Sequence, residues 1–388
     1  MNWLDFLLLF LFVVYAWAGW RHGFVSNVFS AGGLLAGFLL AIILVPKFSP
    51  TGSGDVGPAI FSIAAVFAIA GIGNILGSLI GRKLQLKTGA FRVVDALVGA
   101  AFGTVVMMAA AWALGYAVSA STLPYLSAAA RDSVVLRQVN SIMPAQAGST
   151  LRAFTDTLTG DVFPQYLDPF ETEIIPATDP PSKTVLARPG VQQSYGSVAR
   201  VVGSSKCGRT VEGSGFVTAP TRVMTNAHVV AGVSKPTVTV GNMTYRAQTV
   251  LFNPQLDLAV LKVPGLKADP LPFDTTAVQG DSAVILGFPE NGPFRAGAAR
   301  IRGRIVLRGP DIFGKGRVER DVFSLRGDVR PGNSGGPLIS PRGDVVGVIF
   351  AASVSDPETG YAVTANEALP VAKAGAKANQ PVDTGECS

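Results

Sequence analysis

Arg330-Pro331-Gly332-Asn333-Ser334-Gly335-Gly336-Pro337 is the stretch whose reading decides the rest of the chain. A serine hydroxyl is a poor nucleophile at neutral pH. It becomes useful on a tight turn, with free backbone N–H groups around it and a base beside it. Glycines at 332, 335 and 336 let the backbone crowd the reacting atom and take conformations that other residues avoid. The N–H groups of Gly332, Asn333 and Ser334 are the candidate donors to a developing oxyanion. A surface turn in any β-rich protein has the same composition, so the partners of Ser334 decide.

The base is normally histidine, and the chain has two. His22 lies beside Arg21 between apolar runs, without catalytic context. His228 sits in Met224-Thr225-Asn226-Ala227-His228-Val229-Val230, after the glycine-opened strand Gly213-Ser214-Gly215-Phe216-Val217-Thr218. Small Ala227 leaves room for an imidazole, and Val229-Val230 anchors the segment in a core. The third member is a carboxylate that fixes the imidazole tautomer and stabilises the imidazolium. Asp257, in Asn253-Pro254-Gln255-Leu256-Asp257-Leu258-Ala259-Val260-Leu261, is the one charge in an apolar run. A buried charge needs a partner, and His228 is the candidate. The competing reading is an aspartate that caps a turn at a strand start.

The order His, Asp, Ser is that of the chymotrypsin fold, whereas α/β-hydrolases and subtilisins run differently. Thr225–Val230, Asp257–Val260 and Pro331–Pro337 resemble the three signature blocks of the HtrA/DegP-type trypsin-like proteases. Leu286-Gly287-Phe288-Pro289 and Gly360-Tyr361-Ala362-Val363 match two further strands of that family. The resemblance covers about residues 190–388. It implies a serine endopeptidase working through an acyl-enzyme on protein or peptide substrates, with no cofactor or metal. HtrA proteins carry a PDZ domain after the protease. The stretch after Ser334 suffices for the last strands and a short helix only, so PDZ-gated activation is not expected.

In trypsin-like folds the residue six before the nucleophile floors the specificity pocket, and here it is Asp328. A buried carboxylate there would favour Arg or Lys at P1. The favoured reading is a loop shaped as in HtrA proteases, with Asp328 solvated or paired with Arg330. Ile349-Phe350-Ala351-Ala352 is expected to be the substrate-pairing strand, offering backbone hydrogen bonds by β-augmentation. Phe350, Ala351, Ala352 and Tyr361 therefore join Asp328 as pocket candidates.

From Tyr195 onward strand-like runs recur between turns, at Ser197–Val202, Gly215–Thr218, Thr237–Val240, Tyr245–Val250, Ala259–Val263, Ser282–Leu286, Gly303–Leu307, Asp321–Leu325 and Asp344–Phe350. Such spacing argues for barrels or sandwiches. Two six-stranded β-barrels are predicted, His228 and Asp257 in the first and Ser334 in the second, with the triad in the cleft between. Cys207 and Cys387 are the only cysteines, and outside the cytoplasm such a pair is expected to form a disulfide.

The 388 residues carry a net charge of +6 and only 15% charged residues, at a mean hydropathy of +0.38. No basic stripe with interleaved aromatics appears, which argues against nucleic acid as a partner. The apolar surplus lies before residue 121. Four stretches, roughly Trp3–Trp20, Gly23–Val45, Pro58–Ile80 and Val93–Ser119, reach the ~20 residues of a bilayer-spanning helix. The predicted fold class is thus a four-helix α-helical transmembrane bundle followed by an all-β chymotrypsin-like double barrel. A cleaved signal peptide fits the first stretch poorly, because no basic run precedes it. The first loop carries Arg21 and the third Arg82, Lys83, Lys87 and Arg92, while the second has Lys47 offset by Asp55. The positive-inside rule then places a multi-pass protein in the cell membrane, with both termini and the protease on the periplasmic side.

Gly73, Gly77 and Gly81 stand four apart on one helix face, which allows close helix approach within a packed bundle or along an oligomer seam. Asp95 is an intramembrane acid and so a functional candidate, although nearby Arg92 favours a snorkelling acid at the interface. Asp5, Gly19 to Gly23 and Val94-Asp95-Ala96-Leu97-Val98-Gly99 resemble the colicin V production (CvpA) family of four-helix membrane proteins. Joined to a PDZ-less protease, this architecture resembles the MarP-type membrane-anchored acid-resistance proteases. The resemblance implies a role in envelope or acid-stress protection, with cell-wall proteins among the candidate substrates. That role carries a tension, because the base must be neutral His228 and turnover should fall as the site acidifies. A membrane scaffold or transport module with a vestigial protease fold is the alternative reading. The survival of all three triad residues and the glycine frame weighs against it.

The predicted domains are 1–120, a connector over 121–190, and the protease over 191–388. Ser127–Thr159 has helical spacing, with a start at Asp132-Ser133 and a break at Pro144. Pro164, Pro169, Pro176, Pro180, Pro181 and Pro189 then predict an extended spacer, an open target for self-cleavage.

Overall fold

The computed structural model describes residues 1–48, 56–84, 90–119, 124–143, 173, 175–208, 210–316, 318–353 and 356–387. They form two compact units, residues 1–115 with 133–141, and residues 116–132 with 142–388.

Long apolar helices make the first unit: α1 (Trp3–Phe48), α2 (Val56–Leu84) and α3 (Ala90–Ser119). Trp3–Ala41 and Phe91–Tyr116 are long and apolar enough to cross a membrane. Gly23 interrupts α1 with φ 73° and ψ 166°, which is not helical backbone. A break strips the next turn of its intrahelical acceptors. Asp95 supplies one, since Val25 N–H donates to its Oδ1 at 3.1 Å. Asp95 is therefore buried as a cap on the second half of α1.

The glycines are used inside the chain. A Cβ on Gly19 would lie 2.3 Å from Gly99 O, and one on Gly33 would lie 2.1 Å from Gly73 O. Gly77 and Gly81 meet Phe29 and Ser26 in the same way. The first half of α1 thus packs backbone to backbone on α3 and its second half on α2. This consumes the small-residue face on which an oligomer seam was argued.

The expected helix over 127–159 is divided. α4 (Pro124–Arg131) ends before Asp132, and α5 (Val134–Ile142) starts after Ser133. Ser133 caps α5 by accepting Leu136 N–H at 3.1 Å. Its hydroxyl donates to Asp5 Oδ1 at 2.6 Å, and Val135 N–H donates to the same oxygen at 3.0 Å. Asp5, fully buried, is thus a side-chain acceptor for the start of α5. Residues 144–159 of the expected helix, and Pro164 and Pro169, lie outside the described residues. Residues 175–182 form neither helix nor strand. Lys183–Ala187 then form a 3₁₀ turn and Pro189–Gln193 a short helix, α6. Pro189 starts that helix instead of forbidding it, because a missing N–H is harmless in the first turn.

The first β-half contains β1 (Val198–Ser204), β2 (Thr210–Ala219), β3 (Arg222–Thr225), β4 (Thr237–Val240), β5 (Met243–Arg246), β6 (Gln248–Asn253) and β7 (Leu258–Lys262). They form a sheet ordered β5-β4-β1-β2-β3-β7-β6. Its two edges, β5 and β6, are separated by Ala247 alone, whose N–H donates to Pro236 O at 2.9 Å. The edges are thus two halves of one bent strand, which curls the sheet towards a six-stranded barrel. The second half is a closed barrel of β8 (Ser282–Gly287), β9 (Arg295–Gly309), β10 (Val318–Arg326), β11 (Pro337–Ile339), β12 (Val345–Ala352) and β13 (Thr359–Thr364).

Alternation along the strands fills each barrel with one face. Ala199, Val201, Val217 and Leu261 are in the first core, and Ile285, Ile301, Leu325 and Leu338 in the second. The opposite faces, with Phe216, Met224, Leu286 and Phe350, make a shared core between them. Helix α7 (Ala365–Lys377) joins that core through Ala368, Val371 and Ala372. Arg222, 5% exposed, caps its end by donating to Gly375 O and Ala378 O. Cys207 and Cys387 are bonded, with Cα atoms 6.5 Å apart, across a sequence separation of 180.

Gly33→Val should destabilise the helical unit by about 1–3 kcal/mol, the usual overpacking penalty, read as a lower melting point in detergent. Gly32→Val, with nothing within 4 Å of the new Cβ, should leave melting unchanged. Closing a loop of this length stabilises by about 5 kcal/mol in the chain-entropy model. Reductant should therefore lower the melting point and expose the segment after Ala378 to hydrogen exchange. Equal melting with and without reductant would refute that contribution.

Candidate active site

The site is built where β2 of the first barrel presses on a turn of the second. Ser214 N–H donates to Ser334 O at 2.7 Å. Its hydroxyl donates to Gly332 O at 2.6 Å and accepts Phe288 N–H at 2.9 Å. Its carbonyl accepts Thr225 Oγ1 at 2.7 Å. The flanking glycines make this approach possible. A Cβ on Gly213 would lie 2.7 Å from Val229 and 2.9 Å from Ser334 O, and one on Gly215 would lie 2.7 Å from Met224 O.

Arg330 to Asn333 form a type II turn, with Pro331 second and Gly332 third at φ 90°. Asn333 N–H closes it onto Arg330 O at 3.0 Å. Asn333 Oδ1 accepts Arg330 N–H at 2.9 Å. Pro331 O accepts Glu290 N–H at 2.7 Å. In a trans peptide the N–H points opposite to the carbonyl, so Gly332 N–H faces away from Glu290. Asn333 N–H is committed to the turn, which removes it from the three expected oxyanion donors and leaves Gly332 and Ser334. Gly335, at φ 82°, turns the chain back, and its N–H donates to Ile349 O at 2.8 Å. A Cβ there would lie 2.3 Å from Ser214 O.

His228 opens a 3₁₀ turn, His228–Val230, directly after β3. Its backbone N–H donates to Asp257 Oδ1 at 2.9 Å, and its Nδ1 lies 2.8 Å from Asp257 Oδ2. An ionised carboxylate only accepts hydrogen bonds, so Nδ1 carries the proton and Nε2 is left as the acceptor. Asp257 is fully buried and His228 is 8% exposed. Asp257 takes φ 55°, a left-handed conformation that aspartate tolerates. Asn226 Nδ2 holds it there by donating to its carbonyl at 2.7 Å. Gly213 stands between Ser334 and Val229, the neighbour of His228, so the turn and the imidazole segment meet across one glycine.

The pocket candidates divide. The Asp328 side chain is 64% exposed, and Arg330 Nε donates to both its oxygens at 3.0 Å. This pairing pushes the Arg330 guanidinium above its ordinary value, with Glu290 adding. Asp328 therefore does not floor a buried pocket. Phe350 and Tyr361 point into the shared core and are buried, so neither side chain is open to a substrate. Phe350 is the extra residue where the β12–β13 register shifts between Ile349 and Ala351. Ala351 is buried and Ala352 half-buried at the end of β12. Ser214 was missed as a functional residue, although its signal, a serine between two glycines, stands in the sequence.

Ser214→Ala leaves Gly332 O and Phe288 N–H without their partner. It should lower kcat/KM about tenfold to a hundredfold, as buried hydrogen bonds of ~1–3 kcal/mol do. Asp257→Asn should lower kcat about 10⁴-fold through the wrong imidazole tautomer. Steady-state cleavage of a peptide checks both. Unchanged kinetics in either variant would contradict the assignment.

Residues 213–348 match the trypsin-like peptidase domain family, and residues 4–144 match the colicin V production protein family. The chain is 37% identical to the serine protease Rv3671c of Mycobacterium tuberculosis over 394 aligned residues, spanning 100% of this chain and 98% of that one. It is 32% identical over 156 residues to the Do-like serine protease HtrB of Bacillus subtilis, covering 38% of this chain and 34% of that one. The crystal structure of the Rv3671c protease in its active form superposes with a TM-score of 0.54 at 43% identity, covering 57% of this chain and 98% of that one. The β-half therefore has the chymotrypsin-like protease fold, and the apolar helices with the colicin V match mark a membrane-associated protein. Aligned end to end with a serine protease and matching both domain families, the chain belongs to the trypsin-like serine proteases with an amino-terminal colicin V domain, the MarP type.

Proposed function

We propose that the protein is a membrane-anchored serine endopeptidase whose triad is Ser334, His228 and Asp257, acting on extracytoplasmic proteins. The buried His228–Asp257 pair carries this reading, because the carboxylate holds the imidazole through Nδ1 and so orients Nε2 as the proton-accepting nitrogen. Ser334 Oγ attacks the scissile carbonyl carbon, and His228 Nε2 accepts its proton. Asp257 stabilises the imidazolium without itself being protonated. The oxyanion of the tetrahedral intermediate meets the N–H groups of Gly332 and Ser334, each contributing roughly 3 kcal/mol. His228 then passes the proton to the leaving amine, and a water activated the same way hydrolyses the acyl-enzyme. The substrate lies along Ile349–Ala352 as an added strand. Asp328, exposed and paired with Arg330, is not the buried carboxylate that would favour a basic P1 residue.

In the membrane half, the break at Gly23 divides α1 into two crossings, so that α2 and α3 complete four. Orientation follows from Arg21, Arg82, Lys83, Lys87 and Arg92 on the cytoplasmic side, which leaves the protease outside. The Pro-rich connector is the site of self-cleavage, and the biological role is envelope protection under acid stress. A fluorophosphonate should label Ser334, and Ser334→Ala should abolish labelling. Labelling that persists in the variant would overturn the triad. The released soluble form should have an amino terminus within about residues 150–195, the exposed chain that proteases cut most readily. A terminus elsewhere would count against self-cleavage there.

A further inference from the structure

The chain just ahead of the barrels contributes a carboxylate that no catalytic role accounts for. Glu173 Oε1 accepts the Tyr361 hydroxyl at 2.8 Å, and Oε2 accepts the Ser353 hydroxyl at 2.7 Å. Tyr361 lies in β13 opposite Ala351, beside the bulge at Phe350. Ser353 follows directly on β12 and ties back to β13 through its N–H on Thr359 O at 2.8 Å. The two oxygens of one side chain thus bridge the end of β12 to β13 at the point where the register slips. Bulges re-aim strands, and this one sets the direction of Ala351 and Ala352.

The contacts around Glu173 hold its segment against the same barrel. Arg302 donates to Pro176 O at 3.2 Å and to Asp356 Oδ2 at 3.0 Å. Arg326 donates to Thr178 O at 2.8 Å. Asp356 N–H in turn donates to the Ser353 hydroxyl at 2.9 Å. Arg131 is 5% exposed, and burial lowers its guanidinium below the ordinary value, with Glu173 and Tyr361 opposing that shift. Burial, then Glu173, push the Tyr361 phenol above its ordinary range, which keeps it protonated and a donor.

We infer that Glu173 is a positioning residue for peptide binding, a connector side chain that clamps the end of the substrate-pairing strand. The inference rests on the reading of Ile349–Ala352 as that strand. A small reagent that reacts at Ser334 does not use the strand, whereas an extended peptide does.

The test uses the full chain in detergent, with Glu173→Ala, Glu173→Gln and Tyr361→Phe. For an extended peptide, Glu173→Ala should raise KM about tenfold with a smaller change in kcat, and its fluorophosphonate labelling rate should stay within about twofold. Glu173→Gln keeps one acceptor and should fall between. Tyr361→Phe keeps the buried ring, so it reports in the same direction even if the alanine variant does not fold. Wild-type kinetics in all three variants would overturn the inference while leaving the protease reading intact. Equal loss of labelling and peptide cleavage would also overturn it, by showing a structural role only. Failure of the wild-type chain to label would instead defeat the triad itself.

Discussion

Ser214 holds two barrels together at the place where the chemistry has to occur. Its amide, hydroxyl and carbonyl are all engaged, the first two with the Gly332–Ser334 turn. Backbone can come this close only where side chains are missing. That requirement explains the glycines at 213, 215, 332, 335 and 336, each of which faces another residue's backbone or a packed side chain within 3 Å of its would-be Cβ. The geometry of the Ser334 turn is thus a packing solution first. The turn is fixed by hydrogen bonds to the opposite barrel, and the proposed oxyanion donors would therefore need no reorganisation as charge develops.

The imidazole obeys the same logic. Asp257 is an ionisable group with no exposure, and an unpartnered charge there would be prohibitive. It is satisfied by the amide and the ring of one histidine, so burial and tautomer selection are a single arrangement. In the helical unit, the buried carboxylates of Asp5 and Asp95 also accept backbone N–H groups, one at the start of a helix and one at a break. Placed this way they stitch helices together. That is an ordinary structural use of a buried acid in a helical unit.

Much of this could be read from residues alone. The glycine-framed serine, the lone histidine with catalytic context and the one charge in an apolar strand are local signals whose chemistry admits few arrangements. Strand positions were legible because alternation reflects a buried face. Tyr245–Val250 was the exception, a single run in sequence that bends at Ala247, where the backbone turns to meet Pro236. Residues whose role depends on distant partners were illegible. Asn333 looked like a third oxyanion donor until its amide was found closing a turn. Phe350 and Tyr361 sit beside the candidate strand but point into the core. The glycine faces of the helices matched an oligomer seam as well as a bundle, and the pairing of Gly33 with Gly73 and of Gly19 with Gly99 shows these glycines packed within the chain.

The proposed triad requires His228, held through Nδ1 by Asp257, to serve Ser334 as its base. A peptidyl chloromethyl ketone tests this most directly, because it is held by the active serine and then alkylates the adjacent imidazole. Peptide mapping should find the adduct on His228 and none on His22, with formation suppressed when Ser334 is replaced by alanine. Equal modification of both histidines, or an adduct on His228 that forms at the same rate without Ser334, would contradict the account.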